Sequence, residues 1–477
     1  MRTVDVAPID LDRLHHLIGP ERWLRLQRAA EAAAAGFAGR VLWHVNATAT
    51  GGGVAEMLQI LLAYARGAGI DARWLVLDCQ GPFFAVTKRL HNLLHGSPGD
   101  GGPMGQEERA RYEQGLLPNA QDLVGRLRPG DVVQLHDPQT AGLIPHLTDR
   151  GVTVLWRSHI GCDTANEHTA LGWAFLEPYL AGAEAVIVSR PVYTPPSTPP
   201  ERVVVVHPSI DPFAAKNAPI PNGDVERTLV RAGLRQGMDD GLEIRFPRRY
   251  GGTDVLRRHT GAVVAGDPLP RDVPYVLQVS RWDRLKDMPG VMRAFIDCAD
   301  IPPEAHLVLV GPAVEGVSDD PEGAEVLEEC VQLWRGLAPA DRHRVHLAAL
   351  PMDDVDENAH IVNAAQRAAA VVVQKSLQEG FGLTVTEAMW KSRPVIASAV
   401  GGIQDQIEDG VSGLLVADPT DLGTAGRLMA TVLSDDALAA RLGAGARERV
   451  FQEFLPDRHL LQYEELLASM TFSPRDQ

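Results

Sequence analysis

Apolar residues recur along the chain in two alternating rhythms. From Arg40 onward, short runs rich in Val, Ile and Leu are separated by longer segments in which apolar side chains return at helical spacing. In the first half the short runs are RVLWHV from Arg40, RWLVLD from Arg73, DVVQLH from Asp131, TVLWRS from Thr153, EAVIVS from Glu184 and RVVVVH from Arg202. In the second half they are YVLQVS from Tyr275, HLVLVG from His306, RVHLAA from Arg344, AVVVQK from Ala370, PVIASA from Pro394 and GLLVAD from Gly413. Several are apolar almost throughout instead of alternating, the pattern of strands covered by helices on both faces. The alternation of such strands with helical segments predicts an α/β protein, with parallel strands joined by crossover helices. Each half supplies enough strands for its own doubly wound, Rossmann-like sheet.

Between the halves, Pro208 to about Pro274 is rich in Pro, Gly and charge, with RFPRRYGG at Arg245 and RRHTG at Arg257, and the domain junction is expected inside it. The expected organisation is an N-terminal domain over 1–215, a linker or insert over 216–274, a C-terminal domain over 275–455 and a last helix over 456–477. That helix follows Pro456 and reads HLLQYEELLASM, with Leu460, Leu461, Tyr463, Leu466 and Leu467 as its apolar positions. It is expected to cap one of the domains, with the N-terminal one as the candidate.

Composition narrows the function. A chain of 477 residues, 45% hydrophobic, supplies more than one core. A net charge of −17 opposes broad adsorption on nucleic acid or on anionic membranes, so neither is an expected partner. No apolar run approaches the roughly 18 residues a membrane span requires, and the N-terminus has no apolar signal core. Cys79, Cys162, Cys298 and Cys330 stand far apart without a C-x-x-C pair, which removes a zinc knuckle and a disulfide framework and makes a reducing cytoplasm the expected location.

Three stretches carry candidate chemistry. The run ending His44-Val45-Asn46 leads into Gly51-Gly52-Gly53 and then a helical segment with Val54, Met57, Leu58, Leu61 and Leu62. A glycine loop at a helix N-terminus lets backbone N–H groups approach an anion, although a plain tight turn has the same composition. It is neither G-x-G-x-x-G nor a Walker loop, so hydride transfer and P-loop chemistry lose support. In the second half, the run YVLQVS delivers Arg281, and Lys286 follows in RWDRLKD. Two cations at a strand's carboxyl end suit a diphosphate, the alternative being a solvated loop. Lysine occurs only at positions 88, 216, 286, 375 and 391, so one in this loop stands out. Finally, in QEGFGLTVTEAMW, Glu379 precedes Gly380-Phe381-Gly382-Leu383, and Glu387 lies on the helix that follows. A carboxylate among apolar neighbours must find donors, and sugar or ribose hydroxyls are such donors. Pairing of Glu387 with Lys391 at i+4 is the structural alternative.

The combination E-G-F-G-L-x-x-x-E with a preceding R-x-x-x-x-K resembles the donor site of retaining glycosyltransferases of the GT-B architecture, two Rossmann-like domains facing a central cleft. The blocks HVNATATGGGVAEML, FFAVTKRLHNLLHG, LHDPQTAGL, WRSHIG, PSIDPFAAKN, DDPEG and FGLTVTEAMWKSRPVIASAVGGIQDQI further resemble the trehalose glycosyl-transferring synthases. The resemblance implies transfer of glucose from a nucleotide donor, UDP- or ADP-glucose, to free glucose, giving α,α-trehalose with retention and reversibly in principle. It implies Arg281 and Lys286 on the diphosphate and Glu379 on donor sugar hydroxyls, with Gly380, Phe381, Gly382 and Leu383 beside it. It places Glu387 on the ribose and Gly52 and Gly53 over the phosphates. His136, Asp137, Gln139, Arg157 and His159 would line the acceptor side, His159 more as a hydrogen-bonding group than as a base.

Two departures stand out: after WRSHI the chain reads GCDTANEH, which leaves Asp163 and Asn166 as acceptor-side candidates, and the stretch from Gly237 to Asp272 is longer than the family linker. No obligatory metal or other cofactor is expected, since the Asp-Asp pairs at 239, 319 and 353 lack a strand-anchored D-x-D context. A homodimer is the candidate oligomer. The competing functions are a retaining trehalose phosphorylase, using inorganic phosphate, and a non-catalytic nucleotide-sugar sensor.

Overall fold

The computed structural model describes residues 1–49, 53–249, 251–314 and 321–470. The chain forms two compact units, residues 1–209 with 454–477, and residues 210–453. In the first, seven strands form one sheet: β1 (Arg2–Val4), β2 (Leu42–Asn46), β3 (Ala72–Val76), β4 (Val132–His136), β5 (Thr153–Ser158), β6 (Ala185–Val188) and β7 (Val203–Val205). Their spatial order is β1-β3-β2-β4-β5-β6-β7, with β1 antiparallel to β3 and the others parallel. Strands β2, β4, β5 and β6 are buried at every residue, which is why their sequences are apolar runs. Successive residues serve opposite faces: Trp43, Val45, Val133, Leu135, Val154 and Trp156 pack in one core, and Leu42, Trp74, Val132, Leu155 and Ile187 in another.

The second core is closed by the C-terminal helix Pro456–Ala468, whose Tyr463, Leu466 and Leu467 are buried in it. Its start is held by Arg22, which donates to both carboxylate oxygens of Asp457 at 2.9 Å. The last helix therefore belongs to the N-terminal unit.

The second unit contains the hairpin β8 (Arg245–Pro247) and β9 (Thr253–Val255) and a seven-stranded sheet. The sheet comprises β10 (Val263–Ala265), β11 (Tyr275–Val279), β12 (His306–Pro312), β13 (Val345–Leu350), β14 (Val371–Gln374), β15 (Val395–Ser398) and β16 (Leu414–Val416), ordered β10-β13-β12-β11-β14-β15-β16. Only the edge strand β10 runs antiparallel, against β13. All the runs named from the sequence are strands; β1, β8, β9 and β10, each 3 residues long, are additions.

Residues 216–274, read as a linker or insert, lie wholly within the second unit. Asn363 donates to the carbonyls of Ala215 and Ala218 at 2.8 and 2.9 Å. The hairpin arginines grip the acidic start of the helix Val355–Ala368: Arg248 binds Asp354 at 2.6 Å, Arg249 binds Asp356 at 2.8 Å, and Arg257 binds Glu357 and Asp353. The charge of this stretch is thus internally matched.

Candidate functional site

In a doubly wound sheet, ligands bind outside the carboxyl ends of the strands where the strand order reverses. In the second unit that point lies between β11 and β14. The loop after β11 ends in a 3₁₀ turn, Arg284–Lys286, capped by Asp283, whose carboxylate accepts from Leu285 N at 2.8 Å. Trp282 anchors the loop from below, buried, with Nε1 donating to the Pro312 carbonyl at 2.9 Å. Gly311 makes room for it: a Cβ there would lie 2.5 Å from the indole.

Lys286 emerges from this turn and meets the residue that follows β14. Its Nζ donates to Glu379 Oε2 at 2.6 Å, both side chains being only about one-seventh exposed (15% and 13%). A chain of hydroxyls and an amide backs the pair: Ser376 Oγ donates to the same oxygen of Glu379 at 3.2 Å, Gln374 Nε2 donates to Ser376 and Ser280 at 3.0 Å, and Thr384 donates to Gln374 at 3.1 Å. Arg281 is different. Its side chain is 60% exposed and contacts Asp283 at 3.0 Å, an exposed pair that contributes little to stability.

After Glu379 the chain turns through Gly380 and Phe381 into Gly382, which has φ 85° and starts the helix Leu383–Trp390. Any side chain at Gly382 would be strained and would press on the stem of Glu379 and on Ile403, at 3.1 Å. The glycine thus lets Glu379 lie against a helix N-terminus. Glu387, one further turn into the helix, is 4% exposed. The i+4 pairing with Lys391 is not the one formed. Lys391 Nζ donates instead to Gln366 Oε1 at 2.7 Å, to the Glu387 carbonyl at 3.0 Å and to Asn217 at 3.3 Å, while the Glu387 carboxylate lies 3.5 Å from Lys216 Nζ. Burial pushes Lys391 down to about 7, against the pull of Glu387.

In the first unit the reversal lies between β2 and β4. There a row of imidazoles crosses the strand ends: His44 Nδ1 is 3.0 Å from His136 Nε2, and His136 Nδ1 is 3.0 Å from His159 Nε2. Burial, reinforced by the nearby Arg157 charge, pushes His44 down to about 3 and holds His136 and His159 well below the ordinary histidine value. The row is therefore neutral at physiological pH. Asp137 has φ 63° and its carboxylate accepts from His159 N at 2.7 Å. Burial pushes it up to about 7 in spite of that bond. Arg157 is fully buried and touches Tyr463, His459 and the Val206 carbonyl.

Of the other acceptor-side candidates, Gln139 sits half-buried on the short helix Asp137–Ala141. Asp163 pairs with Arg190. Asn166 is a helix cap: its oxygen accepts from His168 N and Thr169 N at 3.0 Å, and its nitrogen donates to the Gly96 carbonyl at 2.9 Å. These bonds give Asn166 a structural task that the sequence reading did not anticipate. Gly53 opens the helix Gly53–Gly67, whereas Gly52 lies outside the described residues. Asp239 and Asp353 bind Arg231 and Arg257, and the pair at 319 lies outside the described residues. Among the described residues no group of three or more His, Cys, Asp or Glu side chains is arranged to hold a metal, and no helix is long and apolar enough to cross a membrane.

Sequence reasoning missed Gln134, Gln374, Lys216 and Tyr463. For the glutamines a signal existed: each interrupts an otherwise apolar strand run, and a buried amide must find partners.

Two doubly wound sheets, each with polar residues at its switch point, are the architecture of the GT-B glycosyltransferases. Residues 265–449 match the family "Glycosyl transferases group 1", and the fold is similar to that of the sucrose-phosphate synthase from Thermosynechococcus elongatus, with a TM-score of 0.61 at 20% identity over 90% of this chain and 100% of that one. Residues 44–195 match the family "Trehalose synthase, N-terminal domain". The chain is 33% identical to the trehalose synthase of Pyrococcus horikoshii over 460 residues, 96% of each protein. It is also 26% identical to the trehalose phosphorylase of Pleurotus pulmonarius, over 86% of this chain but 54% of that protein. The chain belongs to the trehalose synthase family of glycosyltransferases.

Proposed function

We propose that the protein transfers glucose from a nucleotide-glucose, UDP- or ADP-glucose, to free glucose, forming α,α-trehalose with retention at the transferred anomeric carbon. The observation that carries this reading is the Lys286–Glu379 pair at 2.6 Å, set at the switch point beside the Gly382 turn. A sugar diphosphate needs both groups: a cation for the departing diphosphate and an acceptor for sugar hydroxyls. Breaking the glycosyl–phosphate bond builds negative charge on the leaving oxygen, so a preorganised cation there lowers the barrier most. Lys286 fills that role, with the exposed Arg281 reaching the same phosphates. Glu379 and the N–H groups of Gly380 to Leu383 take the donor sugar, and Glu387, with Lys216 against it, takes the ribose.

On the acceptor side, His159 and Asp137 receive glucose hydroxyls. Retention through a glycosyl-enzyme would need a carboxylate nucleophile. Asp137 is poorly suited, since burial raises it and so favours the neutral acid over the carboxylate a nucleophile needs. Front-face transfer fits better: the departing phosphate oxygen accepts the proton of the attacking glucose hydroxyl, on the face from which it leaves. No divalent metal enters this scheme.

Product analysis tests the reading. Incubation with labelled UDP-, ADP- or GDP-glucose plus glucose, with and without EDTA, should give α,α-trehalose from at least one donor in EDTA. Trehalose formed from glucose 1-phosphate and glucose, with none from nucleotide donors, would make the protein a phosphorylase. Saturable donor binding without product would make it a sensor.

A further inference from the structure

Beneath the histidine row of the first unit lies a second buried layer, built around Arg157, which the sequence reading placed on the acceptor side. Arg157 is fully buried, and among the described residues no carboxylate lies within ion-pair distance of it. An uncompensated buried cation is costly, so the groups that hold it matter. Arg157 Nη1 donates to Tyr463 Oη at 2.6 Å and lies 3.2 Å from His459 Nε2, while Nη2 donates to the Val206 carbonyl at 3.2 Å. Tyr463 Oη also accepts from Gln134 Nε2 at 2.8 Å, and that same nitrogen lies 3.4 Å from His136 Nε2, the middle member of the row. One phenolic oxygen from the last helix thus ties together the buried cation and the amide abutting the imidazoles.

We propose that Tyr463 is a positioning residue: its hydroxyl holds Arg157 and Gln134 under the His44–His136–His159 row and thereby fixes His159 as the group that hydrogen-bonds the acceptor sugar. The proposal rests on the reading that His159 faces that sugar. Burial is the larger cause that depresses His44, His136, His159 and His459, and the Arg157 charge adds to it at each of them. The other titratable groups here are Asp137, on the His159 amide, and Arg458 and His207, which act on His459. None of these last three replaces the hydroxyl that holds the guanidinium.

Tyr463→Phe keeps the ring and removes only the oxygen. With its shortest hold gone and only His459 and the Val206 carbonyl left, the Arg157 guanidinium shifts from its place under the row and His159 protonates more easily. The acid limb of the kcat/KM profile for glucose should then move up by about half a pH unit or more, and kcat should fall about tenfold, as for one lost hydrogen-bonded contact, with the donor KM nearly unchanged. Leu460→Ala, on the same helix, should lower Tm without moving the profile. A readout independent of turnover is the NMR titration of the His159 ring, assigned by its loss in His159→Gln; in Tyr463→Phe it should titrate at higher pH. Gln134→Met, which leaves Tyr463 in place, serves as a second probe and should perturb the His136 ring. An unchanged profile and an unchanged His159 titration in folded Tyr463→Phe would overturn the proposal, as would failure of both variants to fold, which would make the hydroxyl a stability element only. If the wild-type protein makes no trehalose, the functional reading falls, and the NMR titration still decides the role of Tyr463.

Discussion

The two switch points of this molecule solve different electrostatic problems with the same topology. In the second unit, the strand ends present opposite charges, Lys286 and Glu379, partly open to solvent and backed by Ser376 and Gln374. In the first, His44 and His136 are buried and His159 is half-buried, all three held below the ordinary histidine value, and the carboxyl of Asp137 beside them is raised to about 7. In the proposed reaction, charge is kept where a diphosphate departs and removed where a neutral sugar is held. The contrast explains why the second unit's switch point could be read from a sequence motif. Separated charges in a glycine-rich loop have few structural reasons to exist, whereas a histidine in an apolar strand has many.

The strongest way to break the contrast is Lys286→Ala. Loss of one stabiliser of leaving-group charge should reduce kcat about a hundredfold or more, with the fold intact by circular dichroism because the pair is partly exposed. Unchanged turnover would remove the charged switch point from the chemistry. His159→Ala should have a smaller effect, about tenfold, expressed mainly in kcat/KM for glucose and little in the donor KM. Steady-state kinetics with each substrate varied in turn distinguishes the two positions, and an equal loss for both substrates would erase the donor–acceptor division.

These effects map onto what was legible in the chain. The parallel strands were visible because burial on both faces demands continuous apolar runs, as in TVLWRS at β5. The short antiparallel strands β1, β8, β9 and β10 were not, since three residues with mixed burial leave no periodicity to detect. The charge-rich stretch around Arg248 and Arg257 looked like a linker because its partners, Asp354 and Glu357, lie about a hundred residues away in sequence. Tyr463 was read as one more apolar position of an amphipathic helix. Its ring is indeed in the core, but its hydroxyl has a use that only Gln134 and Arg157, more than 300 residues earlier, reveal.

Acid stability sharpens the comparison further. A histidine with a folded pKa below its unfolded value binds fewer protons in the native state, so the fold loses stability as pH falls through about 6.5. His44, His136, His159 and His459 all act in this direction in the first unit. Asp137 opposes them, its neutral form adding stability that declines as pH rises from about 4 to about 7. Four groups outweigh one. Urea midpoints should therefore fall between pH 6.5 and 5, with a slope on the order of 1.4 kcal/mol per pH unit for each net proton taken up on unfolding. A flat midpoint would mean that the row is not held neutral.

The smallest effect is expected at the hairpin. Arg245→Ala removes the contact to Glu243 from a pair exposed on both sides, 56% and 65%. The stability loss should be about 1 kcal/mol or less, with kcat unchanged, as read from thermal melts and steady-state rates. A large drop in turnover would tie the insert to the donor-side chemistry.

The most direct measurement is a crystal structure of the protein soaked with UDP or UDP-glucose. The account predicts that the diphosphate lies within hydrogen-bonding distance of Lys286 Nζ, with the Arg281 guanidinium turned onto the same phosphates and Glu379 freed for the sugar. Density for the nucleotide elsewhere, with Lys286 still bound to Glu379 and Arg281 still on Asp283, would contradict it.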